Sequence, residues 1–111
     1  MGTFVVGDVV VVLFPYSDLS GHKRRPVLVL ATAEFDNLIL CQITSKAYSS
    51  THAIPIANAD FANGGLPIKS YVRPDKLFTA GPEIIQKTLG KLTDASLKKI
   101  LLQVQKLFSI D

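Results

Sequence analysis

The sequence is poor in the residues that build most enzyme centres. It holds one cysteine, Cys41, and two histidines, His22 and His52, which stand thirty positions apart. A single cysteine excludes a disulfide framework and a four-ligand zinc site within the chain, and it favours a reducing, intracellular setting. There is no glycine-rich phosphate loop, no nucleophile elbow and no HExxH motif, so metal, nucleotide and acyl-transfer chemistry lack a recognisable site. No unbroken apolar run exceeds half of the ~20 residues that a bilayer span needs. The N-terminus lacks the basic region and long apolar core of a signal peptide, so the expectation is a soluble, cytoplasmic protein.

The rest of the composition is that of an ordinary globular domain. At 111 residues, 48% hydrophobic and 19% charged, the chain is expected to form one domain, residues 1–111, with a real core and no disordered half. Its net charge of +3 is only weak evidence for a polyanionic partner.

Punctuation by glycine, proline and polar residues divides the chain into short strands. Gly7-Asp8 precedes the run Val9 to Phe14, which reads as a strand buried on both faces, and Pro15 ends it. A turn-rich loop from Phe14 to Pro26 follows and carries Lys23-Arg24-Arg25. Pro26 suits a sheet edge or a strand start, and Val27 to Ala31 reads as the second strand. Asp36-Asn37 marks a turn before a third strand, Leu38 to Ile43, which breaks into the polar tip Thr44-Ser45-Lys46. His52 to Ile56 reads as a short strand, Asp60 to Pro67 as a loop, and Ser70 to Val72 as a strand ending at Arg73-Pro74-Asp75. Pro82 to Leu92 fits a helical turn or a last strand equally well.

The last segment is clearer. Thr93 is a good N-cap, Asp94 complements the helix dipole, and apolar residues recur at Leu97, Ile100, Leu101, Val104, Leu107 and Phe108. Lys98, Lys99, Gln103 and Lys106 occupy the solvated face. The expected fold is therefore mainly β (α+β): a small, strongly bent sheet or barrel with a C-terminal amphipathic helix packed on it.

The chemistry available lies in three polar clusters at strand ends: Lys23-Arg24-Arg25, Thr44-Ser45-Lys46, and Lys69-Ser70 with Arg73 and Asp75. Brought together, they would form a cationic patch with hydroxyls and a carboxylate. Guanidinium forks match phosphate oxygens, and hydroxyls with a lysine complete a phosphate cradle. The competing reading is that these cations are simply solvated and that Arg73-Asp75 is a surface pair contributing about 0 to 1 kcal/mol.

The order of the motifs tips this balance. Gly7-Asp8-Val9-Val10, Phe14-Pro15, Asp18-Leu19-Ser20-Gly21 and Lys23-Arg24-Arg25-Pro26-Val27-Leu28-Val29 together resemble the opening signature of the PemK/MazF family of toxin endoribonucleases. Cys41-Gln42-Ile43-Thr44-Ser45, Tyr71-Val72-Arg73-Pro74-Asp75-Lys76-Leu77-Phe78-Thr79 and Gly90-Lys91-Leu92-Thr93 are similar to later family segments, in the same order. The resemblance implies an SH3-like barrel of the plasmid-maintenance toxin type, a homodimer, a cognate antitoxin protein, and cleavage of single-stranded RNA without metal or cofactor. It also implies catalytic roles for Arg25 and Thr44, and acid and base roles for Arg73 and Asp75. The loop histidine of the plasmid branch falls on Leu19, so His22 is not its equivalent.

RNA supplies its own nucleophile, the 2′-hydroxyl. A protein must only remove that proton, stabilise the phosphorane and protonate the leaving 5′-oxygen, giving a 2′,3′-cyclic phosphate and a 5′-hydroxyl. Arg25 suits charge stabilisation, since a guanidinium does not deprotonate readily. Thr44 suits donation to phosphate. Asp75 is the candidate base, although an aspartate beside Arg73 should be a weak one. Tyr16 is the candidate for base stacking, and His22 for a phosphate contact or proton donor. Lys23, Arg24 and Lys46 would track the backbone, Ser45 would add a hydroxyl, and Gln42 and Ser70 would read bases. Cys41 reads as a small core residue. Two other functions fit the same fold: a non-enzymatic toxin that poisons DNA gyrase, and a catalytically inactive barrel that binds RNA or protein.

Overall fold

The computed structural model describes residues 4–15, 22–46 and 51–108. Among these residues seven strands precede one α-helix: β1 (Asp8–Pro15), β2 (His22–Thr32), β3 (Leu38–Thr44), β4 (Ile54–Ile56), β5 (Phe61–Gly64), β6 (Ser70–Ala80), β7 (Ile85–Leu92) and α1 (Asp94–Lys106). They form a single sheet in the order β4-β6-β3-β2-β1-β7-β5, and every neighbouring pair is antiparallel.

That order requires a curled sheet. A flat sheet would hold β4 and β5, its two edges, about 29 Å apart at the usual spacing of about 4.8 Å. Only residues 57–60 connect them, and five Cα steps reach at most about 18 Å. Ile54 and Ile56 of β4 indeed share one core cluster with Phe61 of β5, Val9, Leu28, Cys41, Ile43, Val72 and Leu92, closed by Ile100 of α1. The opposite face of the central strands carries a second cluster of Val10, Val12, Val27, Val29, Leu38 and Leu40. The valine run of β1 is thus buried on both faces, as its unbroken apolar character predicts.

Both inner prolines lie within strands, where the sequence suggests boundaries. Pro26 pairs with Val11 inside β2, but β3 accompanies β2 only from Val27 onward. Residues 22–26 are therefore an edge on that side, and a missing N–H is tolerated there. Pro74 is fully buried in the middle of β6. It sits where the β3–β6 register jumps from Ile43↔Val72 to Cys41↔Leu77, so residues 73–76 bulge out opposite Gln42.

Other segments depart in smaller ways. The stretch from Pro82 holds both elements that it suggests, a 3-10 turn over Pro82–Ile84 and then β7. Part of the segment read as a loop is β5, whose four residues offer a single large apolar one, Phe61, too little to signal a strand. The strand read from His52 starts at Ile54. Thr93 caps α1 by accepting the Ser96 N–H. The apolar pattern outruns the helix: Leu107 is its C-cap and Phe108 is 69% exposed.

Candidate functional site

Strand alternation places the candidate residues. In β2, Leu28 and Leu30 face one core cluster and Val27 and Val29 the other. Arg25 shares the parity of Val27, and its pairing partner Val12 lies on that same face. Gln42 pairs with Val27, and Thr44, two residues on, pairs with Tyr71. The β2–β3 ladder stops at Val27↔Gln42, so Arg25 and Thr44 each lie two residues past that last pair, at the same end of their strands and with the same parity as it. Arg25, Gln42, Thr44 and Tyr71 therefore line one end of one sheet face, where the apolar stripe of the second cluster gives way to polar side chains.

The bulge of β6 adds the charged pair. Arg73 clasps Asp75 through two parallel hydrogen bonds, from Nε to Oδ1 at 3.0 Å and from Nη2 to Oδ2 at 2.8 Å. These bonds hold the Asp75 carboxyl below its usual range and the Arg73 guanidinium above its own. His52 adds a smaller electrostatic pull on Asp75 in the same direction. From inside the sheet, the Cys41 thiol donates to the Arg73 carbonyl at 2.8 Å. Burial, and secondarily the charge of Asp75, pushes that thiol up to about 12, so Cys41 stays protonated and acts as a donor.

Thr44 accepts the Lys46 N–H at 3.1 Å, and its own O–H remains oriented by whatever acceptor it meets. Ser45 and Lys46 are exposed beside it. Arg24 alternates to the other face from Arg25 and donates from Nε to Gln86 Oε1 at 2.6 Å. Ser70 points into the core, 4% exposed, and donates to the Ile68 carbonyl at 3.0 Å. The fold thus sets Arg25, Gln42 and Thr44 at one end of the sheet, with the Arg73–Asp75 pair on the bulge opposite Gln42, and Ser45 and Lys46 follow Thr44 as exposed residues; it brings neither Arg24 nor Ser70 to that face. Tyr16 and the side chains of His22 and Lys23 lie outside the described residues.

Two residues escaped sequence reasoning. Tyr71 joins the face by pairing with Thr44, and the Lys69 Nζ sits 6.0 Å from its ring centroid. Its parity with Arg73 was the available signal. His52 gave no signal, because only the tertiary fold brings it within electrostatic reach of Asp75. Elsewhere, a groove of about 380 Å³ is lined by Ile56, Phe61, Leu66 and Ile68 together with the polar Asn58 and Lys69. Among the described residues no three His, Cys, Asp or Glu side chains gather where they could hold a metal ion, and no helix is long and apolar enough to cross a membrane.

Comparison with known structures agrees with this architecture. A mycobacterial endoribonuclease in complex with its cognate antitoxin superposes with a TM-score of 0.71 at 19% identity, over 100% of this chain and 98% of that one. MazE–MazF from Deinococcus radiodurans gives 0.72 at 18% identity, over 99% and 100%. The Mycobacterium tuberculosis toxin MazF-mt6 gives 0.67 at 20% identity, over 92% and 98%. A search of curated protein sequences finds no match. The family model for the PemK-like, MazF-like toxin of type II toxin–antitoxin systems matches residues 6–108, and with almost the whole sequence matched, the chain belongs to that family.

Proposed function

We propose that this protein is the endoribonuclease toxin of a toxin–antitoxin module, cutting single-stranded RNA at a short recognised sequence. The observation that supports this most directly is the gathering of Arg25, Thr44 and the Arg73–Asp75 pair at one end of one sheet face. That arrangement suits a phosphodiester. The Arg25 guanidinium stabilises the charge that builds on the phosphorane, and the Thr44 hydroxyl donates to a non-bridging oxygen. Arg73, held rigid by Asp75, orients the phosphate as a fork.

The attack of the 2′-oxygen on phosphorus breaks the bond to the 5′-oxygen, leaving a 2′,3′-cyclic phosphate and a 5′-hydroxyl, and no step calls for a metal. Gln42, Ser45, Lys46 and the ring of Tyr71 are the contacts for the flanking nucleotides, and Tyr16, His22 and Lys23 are further candidates from the sequence. The protein works as a cytoplasmic homodimer, and its antitoxin silences it with an acidic segment laid over this cationic face.

Incubating the purified full-length protein with mixed-sequence RNA in EDTA tests the reading. Discrete cuts ending in cyclic phosphate are expected, and Arg25→Ala should slow them by about 100-fold or more. Intact RNA at protein excess would remove the proposal, and inhibition of gyrase supercoiling without RNA cleavage would replace it.

A further inference from the structure

The groove beside β4 and β5 has no task in the chemistry proposed above, yet it has the make-up of a binding site. Its volume of about 380 Å³ falls in the range of ligand clefts, about 300–1,000 Å³. Ile56, Phe61, Leu66 and Ile68 give it apolar walls, and Ile68 is left 60% exposed. Two polar side chains join them, Asn58 and Lys69. Among the described residues that line the groove, Lys69 is the one charged side chain, and none is a carboxylate.

Asn58 stands on an anchored turn. It opens the 3-10 turn Asn58–Asp60, which Asp60 fastens by accepting the Ala57 N–H and the Ser96 hydroxyl of α1, each at 2.8 Å. The amide lies against Gly65, where a Cβ would sit 2.6 Å from the Asn58 Oδ1. Lys69 ties the groove to the RNA face. It lines the groove, and its Nζ stands 6.0 Å from the Tyr71 ring centroid, while Tyr71 is the cross-strand partner of Thr44. A continuous surface therefore leads from Thr44 across Tyr71 and Lys69 to the groove.

We propose that this groove is a base-binding subsite, which takes one unpaired nucleotide of the substrate RNA beyond those that meet Thr44 and Tyr71. This inference rests on the endoribonuclease reading above. The base lies against the apolar surface of Leu66 and Ile68, and the Asn58 amide pairs with its edge. Adenine is the best match, because an asparagine side chain meets it with two hydrogen bonds, one given and one accepted. Lys69 neutralises the phosphate that joins this nucleotide to its neighbour on Tyr71. Single-stranded RNA is read in this way, with bases unstacked and recognised on their edges. An acidic peptide segment is the weaker occupant, since the groove offers it a single cation.

The test is cleavage of a randomised single-stranded RNA by the full-length protein, read by sequencing the ends. Wild type is expected to favour adenine at one position flanking the cut, and an abasic nucleotide there should lower kcat/KM by about tenfold or more. Asn58→Ala should erase the preference at that position while the other positions keep theirs. Gly65→Ala should act in the same way by displacing the amide, with a thermal midpoint close to wild type, because only a flexible side chain has to move. Lys69→Ala should weaken cleavage of all sequences alike and flatten its salt dependence. Wild-type base preference in both Asn58→Ala and Gly65→Ala would overturn the inference, and if the same variants bound an acidic antitoxin peptide less tightly, the groove would pass to that partner. If the wild type cuts no RNA, the endoribonuclease reading fails instead, and NMR titration of the Asn58 side-chain amide with an adenine-containing RNA oligonucleotide decides the groove alone. A shifted amide signal there would support the subsite, and an unmoved one would refute it.

Discussion

The thiol of Cys41 donates a hydrogen bond to the main-chain carbonyl of Arg73, 2.8 Å away and thirty-two positions on in the chain. This bond ties the inside of β3 to the bulge of β6 that presents Arg73 and Asp75. A bulge interrupts the regular ladder, and the thiol gives the Arg73 carbonyl a donor there. Cys41→Val, close in volume but without a donor, should cost about 1–3 kcal/mol in urea unfolding. RNA cleavage should fall by about tenfold or more, because small displacements of a site group are costly. Cys41→Ser keeps a donor and should retain more activity than the valine variant. Equal activity of the two would detach the bond from function.

The same thiol should be chemically silent. It is fully buried, and its ionisation is pushed up to about 12, whereas alkylation needs an exposed thiolate. Iodoacetamide at pH 8 should therefore label Cys41 only as fast as the sheet opens, and labelling should become rapid in denaturant. Mass spectrometry reads both rates.

Arg73→Lys separates binding geometry from charge. Lysine retains the cation but loses the two-pronged bond to Asp75, so the bulge should remain while the fork disappears. The pair is partly exposed, with side chains 13% and 31% accessible, and its contribution to stability should stay within about 1 kcal/mol. Cleavage should drop by at least about tenfold with a change in unfolding midpoint too small to account for it.

Asp60 holds the helix to the sheet. Its carboxylate accepts the Ala57 N–H and the Ser96 hydroxyl, each at 2.8 Å, and its carbonyl accepts the Thr93 N–H at 2.8 Å. The bonds from Ala57 and then Ser96 lower its proton affinity below the usual carboxylate range. The native state therefore binds fewer protons than the unfolded chain at moderately acid pH. The stabilisation is complete above the ordinary aspartate value, about 3.9, and is lost as pH falls through the lower native value. Asp75 has the same sign, from its bonds with Arg73. Urea unfolding from pH 7 to pH 2 should show an acid limb that Asp60→Asn makes shallower, and a limb of unchanged slope would contradict the assignment.

Gly64 ends β5 with φ at +69, and a Cβ there would run into the Leu89 carbonyl oxygen of β7. Gly64→Ala combines a left-handed backbone with a backbone clash. It should lower stability by about 2 kcal/mol or more, measured by thermal unfolding.

What could be read from residues alone was governed by local interactions. The Val9 to Phe14 and Leu38 to Ile43 runs announce buried strands because each carries its own apolar signal, and Thr93 with the Leu97–Ile100–Leu101–Val104 spacing announces the helix. The motif order around Arg25, Thr44 and Arg73–Asp75 names the family, because those short segments each keep their residue types in series. Tertiary pairing decided the rest. Whether Pro26 and Pro74 end strands or lie within them depends on where β3 stops beside β2 and where the β3–β6 register jumps. Whether Arg24 or Arg25 faces the site depends on strand parity measured against the core. The approach of His52 to Asp75 and the bond from Cys41 to Arg73 join residues far apart in sequence, and no local pattern encodes a contact that exists only once a curled sheet has brought its strands together.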